Sequence, residues 1–488
     1  MGLAPESEAF SGNLSHLSVG EDEAANTRQR PDDPHSAGNG NSFATDRARI
    51  MQSRAFRRLI HKTHMYLAED LDDHIPTRLG HTLDVVRIAR EIARRVSANE
   101  DLVEAIALGH DLGHPPFGHW GELRLHYHAS QNQQCGYMPD PSIEPAGGFK
   151  HNQQSVYTVD CIESDSPSAC GLNLTLWTRE GMLKHSSINY GVGASVAILP
   201  ETVQKELRCD RPYSVSLEGQ IVAAADEITE ATHAIQDFVQ AGAVDYEDVL
   251  DTVKGFGAEH RDPGRLLLPH TRAALLARDL ESTLMTLCTA HALKEAAGAR
   301  RVPDGTGVKC LQQEVFPRDL SVCSSMFGKL KEYVAEMMAH CPTLARMDAR
   351  GAHIIHELFT SYYRNPLLLP DNVWRGYCLM LSPNWYQWPR SAQRPEFLSR
   401  LGLQATTPSP DVAAIIRGEL RKARRQLEKC QGKCADREGA GPSRDIQAQL
   451  WYDPLFVRAI IDHIACMTDV FALREYRKVF AQHGFLRE

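Results

Sequence analysis

The sequence has no run of roughly 18 consecutive apolar residues, the length a membrane-spanning helix needs, so no membrane role is expected. It also lacks an excess of positive charge. Its 53 lysines and arginines face 62 aspartates and glutamates, and a net charge of −9 excludes a protein that coats nucleic acid with a broad basic surface. The 12 cysteines, spread between Cys135 and Cys466, lack the repeated close spacing of a zinc ribbon or a disulfide framework. Cys430 and Cys434 are close, but no second pair accompanies them, so reduced thiols are the simpler expectation. The first residues, acidic around Glu21–Glu23, have neither the apolar core of a secretory leader nor the arginine-rich character of a transit segment. Glu6 breaks a myristoylation pattern after Gly2, and the cytoplasm is the expected compartment. Alternating strand patterns are few, with one short hairpin expected around Ile188–Ile198, and there is no internal repeat.

What the sequence does have is helical periodicity. Leu83, Val86, Ala89, Ala93 and Val96 recur at three-to-four spacing and predict a helix over His81–Val96. Further helices are expected at Leu102–His110, Leu217–Val239, Thr271–Ala297, Met326–His340, His353–Tyr363 and Pro454–Phe480. Residues 1–42, rich in Ser, Asn, Gly, Asp and Glu, read as a disordered polar tail. A catalytic body is expected over 43–370, a partly flexible and basic insert over 371–449, and a last helical part of the body over 450–488. The insert contains a basic helix, Arg417–Arg425, whose commoner meaning is a solvated face and whose other reading is a contact with nucleic acid or a partner.

The densest chemical signal is His110-Asp111-Leu-Gly-His114-Pro-Pro-Phe-Gly-His119-Trp-Gly-Glu122. With 22 histidines in the chain, a lone His-Asp pair means nothing by itself. Its company matters. Arg78-Leu-Gly-His81-Thr opens the helix upstream, and Asp226 interrupts the apolar centre of Leu217–Val239, where a carboxylate is costly unless paired or bound to metal. Imidazole nitrogens and carboxylate oxygens together suit a divalent cation, and Mg, Mn, Fe, Co and Ni all fit such a set. His119 and Glu122 are three apart; if Pro115–Pro116 begins a helix, both lie on one face and the carboxylate can orient the imidazole for acid–base work.

These segments, with Phe56-Arg-Arg-Leu59, Lys62-Thr63, Gly147-Gly-Phe-Lys-His151-Asn-Gln-Gln-Ser155, Gly171-Leu-Asn-Leu-Thr175, Gly181-Met-Leu-Lys184, Ser216-Leu-Glu218, Asp226-Glu-Ile228, Ala465-Cys-Met-Thr-Asp469 and Glu475-Tyr476, resemble the deoxyguanosine triphosphate triphosphohydrolase family of the HD superfamily. The resemblance runs in order over roughly residues 43–370 and 450–485. It implies an all-α HD-domain phosphohydrolase with few or no strands. It implies one divalent ion on His81, His110, Asp111 and Asp226, and release of nucleoside and tripolyphosphate from a deoxynucleoside triphosphate, dGTP above all. It further implies catalytic roles for His119 and Glu122, active-site roles for His114 and His151, a triphosphate grip from Arg78 with added charge from Lys184, and a homo-oligomer.

Three positions depart from the family where it reads the sugar. His64 stands where Gln is usual, Glu230 where Tyr is usual, and Ala234 where Asp is usual. A site that loses specific hydrogen-bonding groups loses discrimination. Alternatives to dNTP hydrolysis are therefore an HD phosphohydrolase of a ribonucleotide or monophosphate, and an inactive nucleotide- or nucleic-acid-binding regulator. Retention of His119, Glu122 and all four ligand positions counts against the regulator.

Overall fold

The computed structural model describes residues 12–24, 27–31, 41–64, 77–130, 148–164, 171–188, 198–257, 260, 267–380, 414–418, 420–422, 450 and 453–480. Among the described residues the fold is all-α with one small hairpin. In chain order the main elements are α1 (Ser42–Gln52), α2 (Arg78–Val96), α3 (Glu100–Gly109), α4 (Gly118–Ala129), α5 (His151–Tyr157), α6 (Leu176–Lys184), α7 (Leu217–Gln240), α8 (Tyr246–Gly255) and α9 (Pro269–Glu295). There follow β1 (Arg301–Pro303), β2 (Lys309–Leu311), α10 (Ser325–Ala339), α11 (Pro342–Arg364), α12 (Asp371–Met380), α13 (Pro454–Ala465) and α14 (Asp469–Phe480). Two compact units are each assembled from several segments: Met1–His114, His151–Ile188 and Lys205–Asp348 form one, and Pro115–Lys150, Asn189–Gln204 and Ala349–Glu488 form the other.

The first unit is built around α7. The small apolar run Ile221–Ala225 lets other helices approach closely, and α7 packs against α2, α3, α6 and α9. Ser216 caps it, accepting from the Gly219 amide at 3.0 Å, a contact of a kind that contributes about 1 kcal/mol. Helix α2 begins at a Thr77 cap and ends with Ser97 in the left-handed region (φ 60°). Its buried stripe is His81, Val85, Ile88, Ala89, Ile92, Ala93 and Val96, which keeps the expected Ala89, Ala93 and Val96 but not Leu83, 51 % exposed. The isoleucines and valines of this stripe, at about 1.5–3 kcal/mol each, hold α2 in place.

The expected polar tail needs correction for its described part. Leu14, Leu17 and Val19 are buried, Ser18 Oγ donates to Glu218 at 2.5 Å, and Glu23 pairs with Arg301 at 2.8 Å. Partners some 200 residues or more away leave no local periodicity to read. The hairpin also differs. Residues 189–197 of the expected one lie outside the described residues; the hairpin found pairs Arg301 with Leu311 and Pro303 with Lys309, its turn organised by Asp304 accepting from the Thr306 amide at 2.8 Å.

In the second unit Trp374 of α12 is fully buried and stacks on Phe456 of α13, with ring centroids 5.7 Å apart. The expected continuous Pro454–Phe480 helix is two helices, broken at Cys466–Thr468, where Thr468 Oγ1 accepts from the Phe471 amide at 3.2 Å. Helix α11 starts earlier than expected, at Pro342, and its added residues Leu344 and Met347, which belong to the first unit, are buried. Of the basic Arg417–Arg425 segment, Arg417 is an ion-pair partner of Asp371 at 2.9 Å, and Arg424 and Arg425 lie outside the described residues. Among the described residues no helix is long and apolar enough to cross a membrane.

Candidate metal centre and active site

Three helices of the first unit converge on one point. The first turn of α2 carries His81, the end of α3 carries His110 and Asp111, and the middle of α7 carries Asp226. His81 Nε2 lies 3.0 Å from Asp226 Oδ1, and His110 Nε2 lies 3.6 Å from both Asp226 Oδ1 and Asp111 Oδ2. The His110 tautomer follows from its other nitrogen, which lies 2.7 Å from the Ala107 carbonyl, an acceptor only. Nδ1 therefore carries the proton and Nε2 presents a lone pair to two carboxylates. That nitrogen is buried and has no hydrogen-bond partner. Lone pairs from three groups turned toward each other repel unless a cation sits among them, and His81, His110, Asp111 and Asp226 are the residues that would hold it.

The ionisation states agree with this fit. Burial pushes the Asp226 carboxyl up, but the His81 hydrogen bond and the imidazoles of His110, His81 and His185 outweigh it and hold the group below the usual carboxylate range. For Asp111, burial is likewise outweighed, here by the Arg78 guanidinium and then by His110, His114 and His151. Burial lowers His81 despite its bond to Asp226. Charged carboxylates and neutral imidazoles are the forms a divalent ion binds.

Around this set the structure brings together several expected residues and two that motif reading passed over. Arg78 donates to Asp111 through its guanidinium and to the Thr63 carbonyl at 3.3 Å, so it orients a ligand directly. His64 stacks on His81 with centroids 4.2 Å apart, and burial holds its pKa well below the ordinary imidazole value. His233 stands edge-on to both rings and bonds to Asp84 Oδ2 at 3.1 Å. His114 stacks on His151 at 4.8 Å, and the Lys62 ammonium donates to the His114 carbonyl. His185, one position past the Gly181–Lys184 motif, lies edge-on to His110 at 5.0 Å. Gly113 is required between these groups: a Cβ there would sit 2.1 Å from the Ser155 amide nitrogen of α5.

Lys184 is placed differently from expectation. Its ammonium is fully buried, pairs with Glu180 at 3.0 Å and donates to the Arg208 carbonyl at 2.6 Å, so its charge is spent inside the fold and not on a triphosphate. Lys184→Met is expected to cost about 3–5 kcal/mol in urea unfolding, because Glu180 stays buried without its cation. The KM for triphosphate should remain within about threefold of the parent. Glu230 lies one turn beyond Asp226 on α7 and is exposed, while Ala234 is fully buried and offers no acceptor.

In the second unit, α4 starts at Gly118, after Phe117, which occupies the left-handed region (φ 64°). That strained backbone is fixed by Asp469, whose Oδ1 accepts from the Phe117 amide at 3.0 Å. The Pro pair thus precedes the helix and does not begin it. His119 Nδ1 lies 3.1 Å from Glu122 Oε2, and Lys150 Nζ lies 3.2 Å from Glu122 Oε1. Glu122 is buried, whereas the His119 side chain is 63 % exposed. A buried carboxylate anchored by a lysine accepts from the His119 Nδ1–H and orients the imidazole for proton transfer.

A sequence model of the HD domain matches residues 78–141. A deoxyguanosinetriphosphate triphosphohydrolase-like protein of Nitrobacter hamburgensis is 33 % identical over 371 residues, covering 73 % of this chain and 86 % of that protein. A protein of the same description from an Azoarcus species is 36 % identical over 333 residues, 67 % of this chain and 80 % of that one. Another, from Ralstonia nicotianae, is 34 % identical over 359 residues, 73 % and 86 % respectively.

Proposed function

The chain belongs to the deoxyguanosinetriphosphate triphosphohydrolase-like family of HD-domain phosphohydrolases, and from that membership we propose that it hydrolyses deoxynucleoside triphosphates, dGTP foremost, to deoxynucleoside and tripolyphosphate with one divalent cation. The observation that carries the reading is the His110 Nε2 lone pair, buried without a partner 3.6 Å from two carboxylates.

A divalent cation held by His81, His110, Asp111 and Asp226 supplies Lewis-acid polarisation of a phosphoryl oxygen and neutralises charge. The chain's own residues do the rest. Arg78 keeps Asp111 charged and aimed. His114 and His151, stacked on each other, are the polar groups offered to the phosphate. His119, held by Glu122, handles the proton: water oxygen bonds to the α-phosphorus, the bond to the 5′-oxygen breaks, His119 delivers a proton to that oxygen, and the proton the water loses passes to solvent, from which His119 is reprotonated.

The sugar-reading half supports weaker selection. His64 is already engaged with His81, Glu230 faces solvent, and Ala234 has no polar atom to bind a hydroxyl. The metal-supplemented protein, given each dNTP and NTP separately in ¹⁸O-water, should yield nucleoside and tripolyphosphate with the label in tripolyphosphate. The preference for dGTP over GTP should stay below about 10²-fold, short of the 10⁴–10⁵ a fully hydrogen-bonded site achieves. Pyrophosphate as product, or turnover of NTPs and monophosphates alone, would overturn the reading in favour of a different nucleotide substrate.

A further inference from the structure

Helix α4 carries the His119–Glu122 pair, and two further histidines of this helix, neither with a part in the scheme above, fasten it to its neighbours in the second unit. His126 Nδ1 accepts from the Phe149 amide at 3.2 Å, which ties α4 to the backbone beside Lys150, the residue that anchors Glu122. In the last turn the buried His128 ring stacks on two rings of α11, Phe359 with centroids 4.1 Å apart and His356 at 5.2 Å. His128 Nε2 lies 3.3 Å from His356 Nδ1, so one of these nitrogens donates and the other offers a lone pair. The start of α4 rests on α11 as well, since a Cβ on Gly351 would come within 2.6 Å of the Phe117 Cβ.

We propose that His126 and His128 are positioning residues that form an acid-sensitive mount for the His119–Glu122 pair, holding α4 closed on its neighbours while both imidazoles are uncharged. The contacts themselves require this. A protonated imidazole carries N–H on both nitrogens, so a charged His126 loses its bond from Phe149. A charged His128 keeps its contact only by burying the charge against Phe359, and with His356 charged as well two N–H groups face each other. The surroundings do not compensate. Burial pushes His128 down to about 3, and His356 of α11 and Arg124 of its own helix add to the effect. Around His356 stand Glu357, Arg124, His353 and Arg364, of which only Glu357 is an anion. Burial also lowers His126, with Lys150 acting in the same direction and Glu122 against it. On α13, which packs on α4 too, Arg458 pairs with Asp462 at 2.5 Å and His463 stands edge-on to Tyr362 of α11. Asp469 of α14 is engaged with the Phe117 amide at the other end of α4. An opened α4 takes up protons at the ordinary imidazole value of 6.5, a closed one only below it. The closed form is therefore fully favoured above that pH, and below it the open population rises about tenfold per pH unit for each imidazole.

The mount rests on the hydrolysis reading only for the role of His119, and the test separates the two. Amide hydrogen exchange of the full-length protein, corrected for the intrinsic pH dependence of exchange, reads the opening of α4 without turnover. Between about pH 7.5 and about pH 5.0, exchange in α4 should accelerate at least about 30-fold, with α9 of the first unit as the reference for global unfolding. His126→Gln keeps an acceptor for the Phe149 amide, His128→Phe keeps a ring over Phe359, and neither replacement titrates. In the double variant, exchange in α4 should stay within about threefold over the same range. The fraction of kcat on dGTP retained at the lower pH should be at least about threefold larger in the double variant than in the parent. The mount is overturned if α4 in the parent does not accelerate, accelerates no more than α9, or accelerates equally in the double variant. An equal retained fraction of kcat in the two proteins overturns it as well. A parent without turnover at either pH overturns the hydrolysis reading instead, and exchange alone then decides the mount. Since α4 and α9 are compared within the parent protein, a double variant that fails to fold does not rescue the proposal.

Discussion

Asp111→Asn is expected to lower kcat/KM for triphosphate by about 10³-fold or more and to cost about 3–5 kcal/mol of stability as well. The two losses have one origin. Asp111 faces His110 Nε2 on one side and accepts from the buried Arg78 guanidinium on the other. Removing its charge weakens the cation set, a loss of several kcal/mol of transition-state stabilisation at about 1.4 kcal/mol per tenfold in rate. It also strands the Arg78 cation in the interior. His110→Ala separates these effects. It should lose turnover and bound metal to a similar degree while keeping the Arg78–Asp111 pair, so its urea midpoint should stay nearer the parent than that of Asp111→Asn. Metal content, kcat/KM and urea unfolding on the three proteins decide the matter. Turnover within tenfold of the parent in either variant would remove the cation from the mechanism.

The same pair of residues illustrates how far the sequence could be read. Asp226 stood out because it directly follows the apolar run Ile221–Ala225, where a carboxylate is costly without a partner, and the resemblance joined it to His81, His110 and Asp111. Helix positions followed from three-to-four spacing, and α2, α3, α7, α9 and α10 fall within a few residues of expectation. The inward side of α2 followed in part: Ala89, Ala93 and Val96 are buried as expected, Val86 packs partly against the core, and Leu83 is exposed, while packing against α7 and α3 widens the stripe to Val85, Ile88 and Ile92. Lys184 was misread for a related reason. A lysine in a nucleotide-binding context invites a phosphate, but direction is a tertiary property, and Glu180, four residues earlier, was the available signal. His185 was passed over because the motif appeared to end at Lys184, although a histidine one step past the helix was in plain view. The strands β1 and β2, three residues each, are too short for any alternation to register, and the contacts of Ser18 and Glu23 join residues that no local window contains.

His119→Ala is expected to reduce kcat on dGTP by about 10²–10⁴-fold while leaving KM and bound metal near the parent values. None of the four proposed ligands is touched, and Glu122 keeps Lys150 as its partner, so neither the fold nor the cation set has a reason to change. A fall in kcat alone does not distinguish a proton donor from a residue that merely shapes α4. The leaving group does. A 5′-alkoxide is a poor leaving group and needs its proton in the transition state, whereas 4-nitrophenolate leaves without one. With 4-nitrophenyl triphosphate, the ratio of parent to His119→Ala should shrink to less than about tenfold if His119 supplies that proton. Glu122→Gln should follow the same pattern more weakly, because it removes the charge that favours the protonated imidazole but leaves the imidazole itself. An equal loss on both substrates would instead assign His119 to holding the phosphate or the local structure, and the proton would have to come from another group.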